Sequence, residues 1–184
     1  MNMLIYRLAT TVVLVGLAAA ASAQQSPPAA APPPPAAPPA PAAVPEQMPF
    51  DIPYGPSIGL VQAKHFAETA EAEAKKHNWK MNIAVVGPSG DLIYFLRMDG
   101  AQYASIDISQ DKARAAARFR RQTKLFADVI NGGNPAIVTL RGVVGSEGGF
   151  PLVEGGKLVG AIGCSGGTGP QDGVTCKAAA DTAK

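Results

Sequence analysis

The chain has two histidines, His65 and His77, and both fall on one predicted helix. Twelve residues apart, they lie about 18 Å from each other along a helix axis at 1.5 Å per residue. They cannot hold one metal ion together. His65 follows the packed alanine face and precedes Phe66, which makes it the better candidate for ligating a metal. His77, at the helix end, suits the negative end of the helix dipole.

Arg97 and Asp99 flank Met98 where a predicted strand stops. A guanidinium there could hold a carboxylate, or the two could form an ion pair that pins the strand end. Gly166-Gly167-Thr168-Gly169 precedes a predicted helix. Its free N–H groups could cradle an anion at the helix N-terminus, or the glycines could simply make the turn while Asp172 caps the helix. The loop lacks the lysine of a P-loop, which argues against a nucleotide.

Gly163-Cys164-Ser165-Gly166-Gly167 formally fits the nucleophile elbow G-x-S-x-G. That chemistry needs a histidine base later in the chain, and none follows His77, so a serine hydrolase is rejected. No other catalytic constellation stands out. Cys164 and Cys176 could pair in an oxidising compartment, closing a short loop worth roughly 3 kcal/mol in the chain-entropy model. Their spacing alone leaves the pairing open. No further His/Cys pair accompanies them to make a metal site.

The elements that must position these residues follow from periodicity. Leu60, Ala63, Ala67, Ala70 and Ala74 recur at three and four, predicting a helix over 58–77 with Glu71 and Lys75 as an i,i+4 pair. Residues 81–86 and 91–98 read as an antiparallel hairpin around Gly87-Pro88-Ser89-Gly90. A long helix should start at Ser105, break near Gln122 and resume from Thr123 to Ile130. The flanks of Glu154-Gly155-Gly156 read as a second hairpin. Glycines at 160 and 163 mark the close approach of another backbone, a helix or a ligand. A last helix is expected over 172–183. This order of elements argues for α+β architecture with a mostly antiparallel sheet covered by helices.

The N-terminal part has another character. Residues 1–23 have the pattern of a secretory signal: Arg7, an apolar run over 8–21, and Ala21-Ser22-Ala23. The run is shorter than the roughly 20 residues a spanning helix needs. Residues 24–49 form a Pro/Ala tract expected to be an extended linker or stalk. One folded domain is expected over 50–184, periplasmic or secreted, with no membrane span after signal cleavage. Net charge is +2, and removing Arg7 with the signal leaves a near balance. That argues against a nucleic-acid partner. The local cluster Arg114, Arg118, Arg120, Arg121 and Lys124 reads as the solvated face of one helix.

Pro53-Tyr54-Gly55-Pro56, Ala63-Lys64, Ala84-Val85-Val86, Arg97-Met98-Asp99-Gly100-Ala101, Ser105-Ile106-Asp107, Lys112-Ala113 and Thr123 occur in an ordered series. It continues with Gly148-Gly149, Pro151-Leu152, Gly160-Ala161-Ile162-Gly163, Ser165-Gly166 and Gln171-Asp172. In order and spacing the series resembles the GlcG/HbpS-like (DUF336, haem-degrading) family, from about Pro53 to Ala180. Gly87 and Ala115 depart from the family's usual aspartate and threonine.

The resemblance implies a profilin-like, five-stranded antiparallel sheet flanked by helices, assembled into dimers and often octamers. It also implies haem or a related tetrapyrrole as cofactor, in the service of haem or iron handling. Haem needs an apolar slot, an axial ligand and cations for its propionates. The candidate cofactor-binding set is His65, Arg97, Asp99, Thr123, Gly166 and Gly167. His65 is the candidate metal ligand, or else a helix-surface imidazole, with Met98, Tyr103 and Cys164 as weaker fallbacks. The alternative is a cofactor-free oligomer that binds a small, glycolate-like carboxylate through Arg97 and the glycine loop.

Overall fold

The computed structural model describes residues 44–184. The expected signal segment, and the expected linker as far as residue 43, lie outside the described residues.

Helix α1 spans Leu60–Lys76, strands β1 and β2 span Asn82–Val86 and Leu92–Arg97, and helices α2 and α3 span Ala104–Phe119 and Lys124–Asn131. A short 3-10 helix, Pro135–Thr139, precedes β3 (Gly149–Glu154), β4 (Lys157–Ser165) and α4 (Gly169–Ala180). The sheet is antiparallel, in the order β2-β1-β4-β3.

Side chains alternate across a strand, and both faces of β1 are covered. Ile83 and Val85 join the α1 and α4 side, with Phe66, Leu152 and Ile162. Ala84 and Val86 join the α2 side, with Ala113, Ala116, Ala117 and Ala161. This is why β1 reads as an unbroken apolar run and not an alternating one. The alanine stripe of α1 is fully buried at 63, 67, 70 and 74, and Glu71 pairs with Lys75 at 2.8 Å.

Among the described residues the sheet has four strands where five are expected. Beyond Val86, the partner of Ala161, β1 stops. There the main chain of residues 53–55 runs beside β4 as a single parallel bridge. Gly55 N donates to Leu158 O, and Leu158 N to Pro53 O, each at 2.8 Å.

The helices differ from expectation at their ends. Ser105 lies inside α2, and its Oγ bonds Gln102 Nε2 and Ser165 Oγ in place of capping. α2 ends where Arg120 takes a left-handed conformation, φ 55°, so the chain turns before α3. α4 begins at Gly169, with Pro170 in its first turn, where a missing N–H costs nothing.

The glycines of β4 are closed by the protein's own backbone. A Cβ at Gly163 would run into the carbonyl of Ser109 and the amide of Ala113. One at Gly160 would meet the carbonyl of Val86 at 2.6 Å. Of the partners that strand glycines can admit, a packed helix took Gly163 and a neighbouring strand took Gly160. Neither leaves room for a ligand.

Candidate functional site

The residues singled out by sequence do not converge. His65 is exposed on α1, its ring tilted against Phe66. Arg97 is exposed at the end of β2 with its guanidinium over the Tyr103 ring, 4.6 Å from the centroid. Its expected partner Asp99 is also exposed, and the pair is absent from the ion pairs of the described residues. Thr123 is buried and ties the start of α3 to β3: its Oγ1 accepts the Gly149 N–H at 2.9 Å, and its own N–H donates to Gly149 O at 3.0 Å.

In the glycine loop, the N–H of Gly167 donates to Asp172 Oδ1 at 3.0 Å and that of Thr168 to Gln171 Oε1 at 2.8 Å. A Cβ at Gly166 would strike the carbonyl of Lys80. Two of the amides that could cradle an anion are therefore taken by the first turn of α4.

Asp172 also accepts from a residue that sequence reading passed over. Lys112 Nζ lies 2.7 Å from Asp172 Oδ2, with both side chains almost wholly buried. Nζ also donates to Cys164 O at 3.3 Å. This buried pair joins α2, β4 and α4. The Cys164–Cys176 disulfide beside it joins β4 to α4 across a Cα separation of 5.6 Å.

A second arrangement opens to solvent. Asp111, Arg114 and Arg118 recur at three and four along α2 and so share one face. Arg141, Gly142, Val143 and Val144, from the loop before β3, form the facing wall of a cavity of about 420 Å³. The described ion pairs engage Arg114 with Asp111 at 3.1 Å, and Arg120 with Asp51 at 3.6 Å, but neither Arg118 nor Arg141. Arg114 is steadied further by Gln110 Oε1 at 3.1 Å.

Arg118 is held through Nε, which donates to Ser89 O at 2.9 Å. Its guanidinium fills the space that a Cβ at Gly90 would take. The cavity thus gathers three guanidiniums against one carboxylate, an excess of two positive charges.

Arg118 also borders a second cavity of about 340 Å³ with Tyr54, Pro88 and Ser89. The Tyr54 hydroxyl donates to Arg118 O at 3.0 Å. Both volumes lie in the range of roughly 300–1,000 Å³ common to small-molecule sites. The pair combines clustered cations with an aromatic ring and a proline.

Two of the arginines belong to the basic cluster visible in the sequence, which reads there as a solvated helix face. The rest of that cluster lines neither cavity, although Arg120 lies over the Tyr54 ring, 5.5 Å from its centroid. Arg120 donates to Ile52 O at 3.1 Å, and Arg121 lies 3.8 Å from the centre of the Phe50 ring. Lys124 bonds Asp128, and that hydrogen bond holds its ammonium above the usual lysine range.

The family description "Haem degrading protein HbpS-like" matches residues 58–181, more than half of the chain. The chain belongs to the HbpS-like family. It is 44% identical to Protein GlcG of Escherichia coli K12 over 95 residues, 52% of this chain and 71% of that protein. The crystal structure of HbpS superposes with a TM-score of 0.66 at 25% identity, covering 75% of this chain and 98% of that one. A PduOC:heme complex superposes at 0.62, also at 25% identity, covering 68% and 94%. The match to the HbpS-like family includes α2 and the loop that carries Arg141, so the cleft is built from the family's own elements. Tyr54 lies just before the matched span.

Proposed function

We propose that this protein binds haem or a related tetrapyrrole, and that the arginine cleft on α2 seats the propionates. The carrying observation is the excess of two positive charges at Arg114, Arg118 and Arg141, next to the cavity bordered by Tyr54 and Pro88. Two carboxylates on an apolar ring match that combination in charge and in polarity. Family membership and the likeness to a haem complex support the same reading.

The fit is incomplete in one respect. Cations for the propionates and an apolar surface adjoin at the cleft, but His65 sits on α1, across the sheet from α2.

We infer further that the mature protein is exported and works on haem outside the cytoplasm. The signal-like pattern over residues 1–23 and a buried disulfide support this, since disulfides persist in oxidising compartments. Self-assembly into dimers or octamers is part of this proposal, on the family resemblance.

A cofactor-free reading keeps one observation in its favour. The cationic half of the cleft would also suit a small carboxylate of the glycolate type, with the Tyr54 cavity unused.

Haemin titration of the purified mature protein separates the two. Saturable sharpening and displacement of the Soret band is expected. Arg141→Glu should weaken it at least about tenfold, since a charge-assisted hydrogen bond is worth roughly 1.5–3 kcal/mol. No spectral change with haemin, together with calorimetric heat on adding glycolate, would replace this reading with the second one.

A further inference from the structure

The cleft offers cations and an apolar surface but little for a metal to bind. Iron in haem takes its axial ligand from histidine, cysteine, methionine or tyrosine. Among the described residues, only Tyr54 of these types lines either cavity, and its hydroxyl is already donated to the main chain of Arg118 at 3.0 Å. Binding iron as phenolate would forfeit that hydrogen bond.

The other described residues of these types line neither cavity: Tyr103 lies under the Arg97 guanidinium, Tyr94 packs against the α1-side core, and Met48 is exposed before Tyr54. His77 Nε2 lies 3.3 Å from Glu73 and the ring stacks on Trp79 at 4.3 Å, on the α1 side of the sheet. His65 is on α1 as well. The two cysteines are consumed in the disulfide. Met81 and Met98 are buried in the α1-side core. Among the described residues, no group of three His, Cys, Asp or Glu side chains could hold a metal ion.

We propose that the cleft reads the two carboxylates and the apolar ring of its ligand and not the metal at the centre. The ligand class is then the tetrapyrrole dicarboxylate, with or without iron. Recognition of this kind suits a protein that must hold a macrocycle before iron enters it or after iron has left. This inference rests on the tetrapyrrole reading above and adds to it that the metal is dispensable.

The test compares haemin with metal-free protoporphyrin on the full mature chain, by quenching of the single tryptophan, Trp79, and by porphyrin fluorescence polarisation. The expected result is affinities within about threefold of each other. Both should fall together in Arg114→Ala and Arg141→Ala, and both should be unchanged in His65→Ala. Circular dichroism on each variant confirms that the fold is intact.

Haemin binding with metal-free protoporphyrin weaker by more than about thirtyfold would overturn the inference and leave the function standing. Haemin binding lost in His65→Ala but kept in the arginine variants would overturn the inference and, with it, the seating of the propionates in the arginine cleft. Failure of both ligands to bind the wild-type protein would overturn the function itself, and the inference with it.

Discussion

Arg118 Nε donates to the carbonyl of Ser89 at 2.9 Å, and this bond ties the C-terminal half of α2 to the turn between β1 and β2. It aims the guanidinium along the border of the two cavities. Gly90, at φ +95°, leaves the space that the guanidinium fills. Lysine in place of Arg118 would keep the charge and lose the planar fork that can bond Ser89 and a ligand together. Arg118→Lys should therefore weaken haemin binding several-fold with a shift in stability below about 0.5 kcal/mol, as for an ordinary surface change. Soret titration and thermal melting check the two parts. Unchanged affinity would mean that Arg118 contributes only its charge.

The Lys112–Asp172 pair is almost fully buried. Removing one member leaves an unpaired charge in the interior, at a cost of about 3–5 kcal/mol. Lys112→Met and Asp172→Leu should each lower the urea midpoint strongly. The double variant should recover part of the loss, because two apolar side chains can replace a buried pair. Additive losses would show that the two charges do not depend on each other.

Gly163 lets α2 rest directly on the sheet. Gly163→Ala should cost about 3 kcal/mol, the upper part of the overpacking range, because the atoms it would strike are backbone atoms of Ser109 and Ala113. A Cβ at Gly59 would meet nothing within 4 Å. Gly59→Ala, at the N-cap of α1, should thus cost about 1 kcal/mol or less, the loss of a preferred cap residue alone. Equal unfolding midpoints for the two variants would contradict this packing.

Glu73 gives the protein an acid-side dependence. Its carboxyl is held below the ordinary range, first by the hydrogen bond from Lys76 and then by His77, against the opposing effect of burial. A carboxylate with a depressed folded pKa stabilises above its unfolded pKa and loses that contribution as pH falls through the folded value. The stability difference between neutral pH and a pH below the glutamate range should therefore be smaller in Glu73→Gln than in the wild type. Urea titrations at both pH values measure it, and identical differences would count against the pairing.

Much of the fold was legible because it rests on local patterns. The alanine stripe of α1, the Gly-Pro-Ser-Gly turn and the paired glycines at 155 and 156 each determine an element from neighbouring residues. The site was less so. Arg114 and Arg118 stand out in the sequence only as charge on a helix, and charge on a helix is usually solvated. What makes a cleft is Arg141, which reaches them from a loop with no periodic signal. The Lys112–Asp172 pair joins residues sixty positions apart, and nothing local in either segment announces it. The β4 glycines were recognised as points of close approach. Which partner approached could be decided only by tertiary packing, of α2 at Gly163 and of β1 at Gly160.

The central claim is that carboxylates hold the ligand. Binding of porphyrin with free propionates, compared with its dimethyl ester in the same detergent-buffered solution, tests this most directly. The free acid should bind saturably and lose affinity as salt rises, because exposed charge pairs are screened within about 8–10 Å at physiological ionic strength. The ester should bind at least about tenfold more weakly, with no dependence on Arg114 or Arg141. Equal affinity for acid and ester would contradict the account.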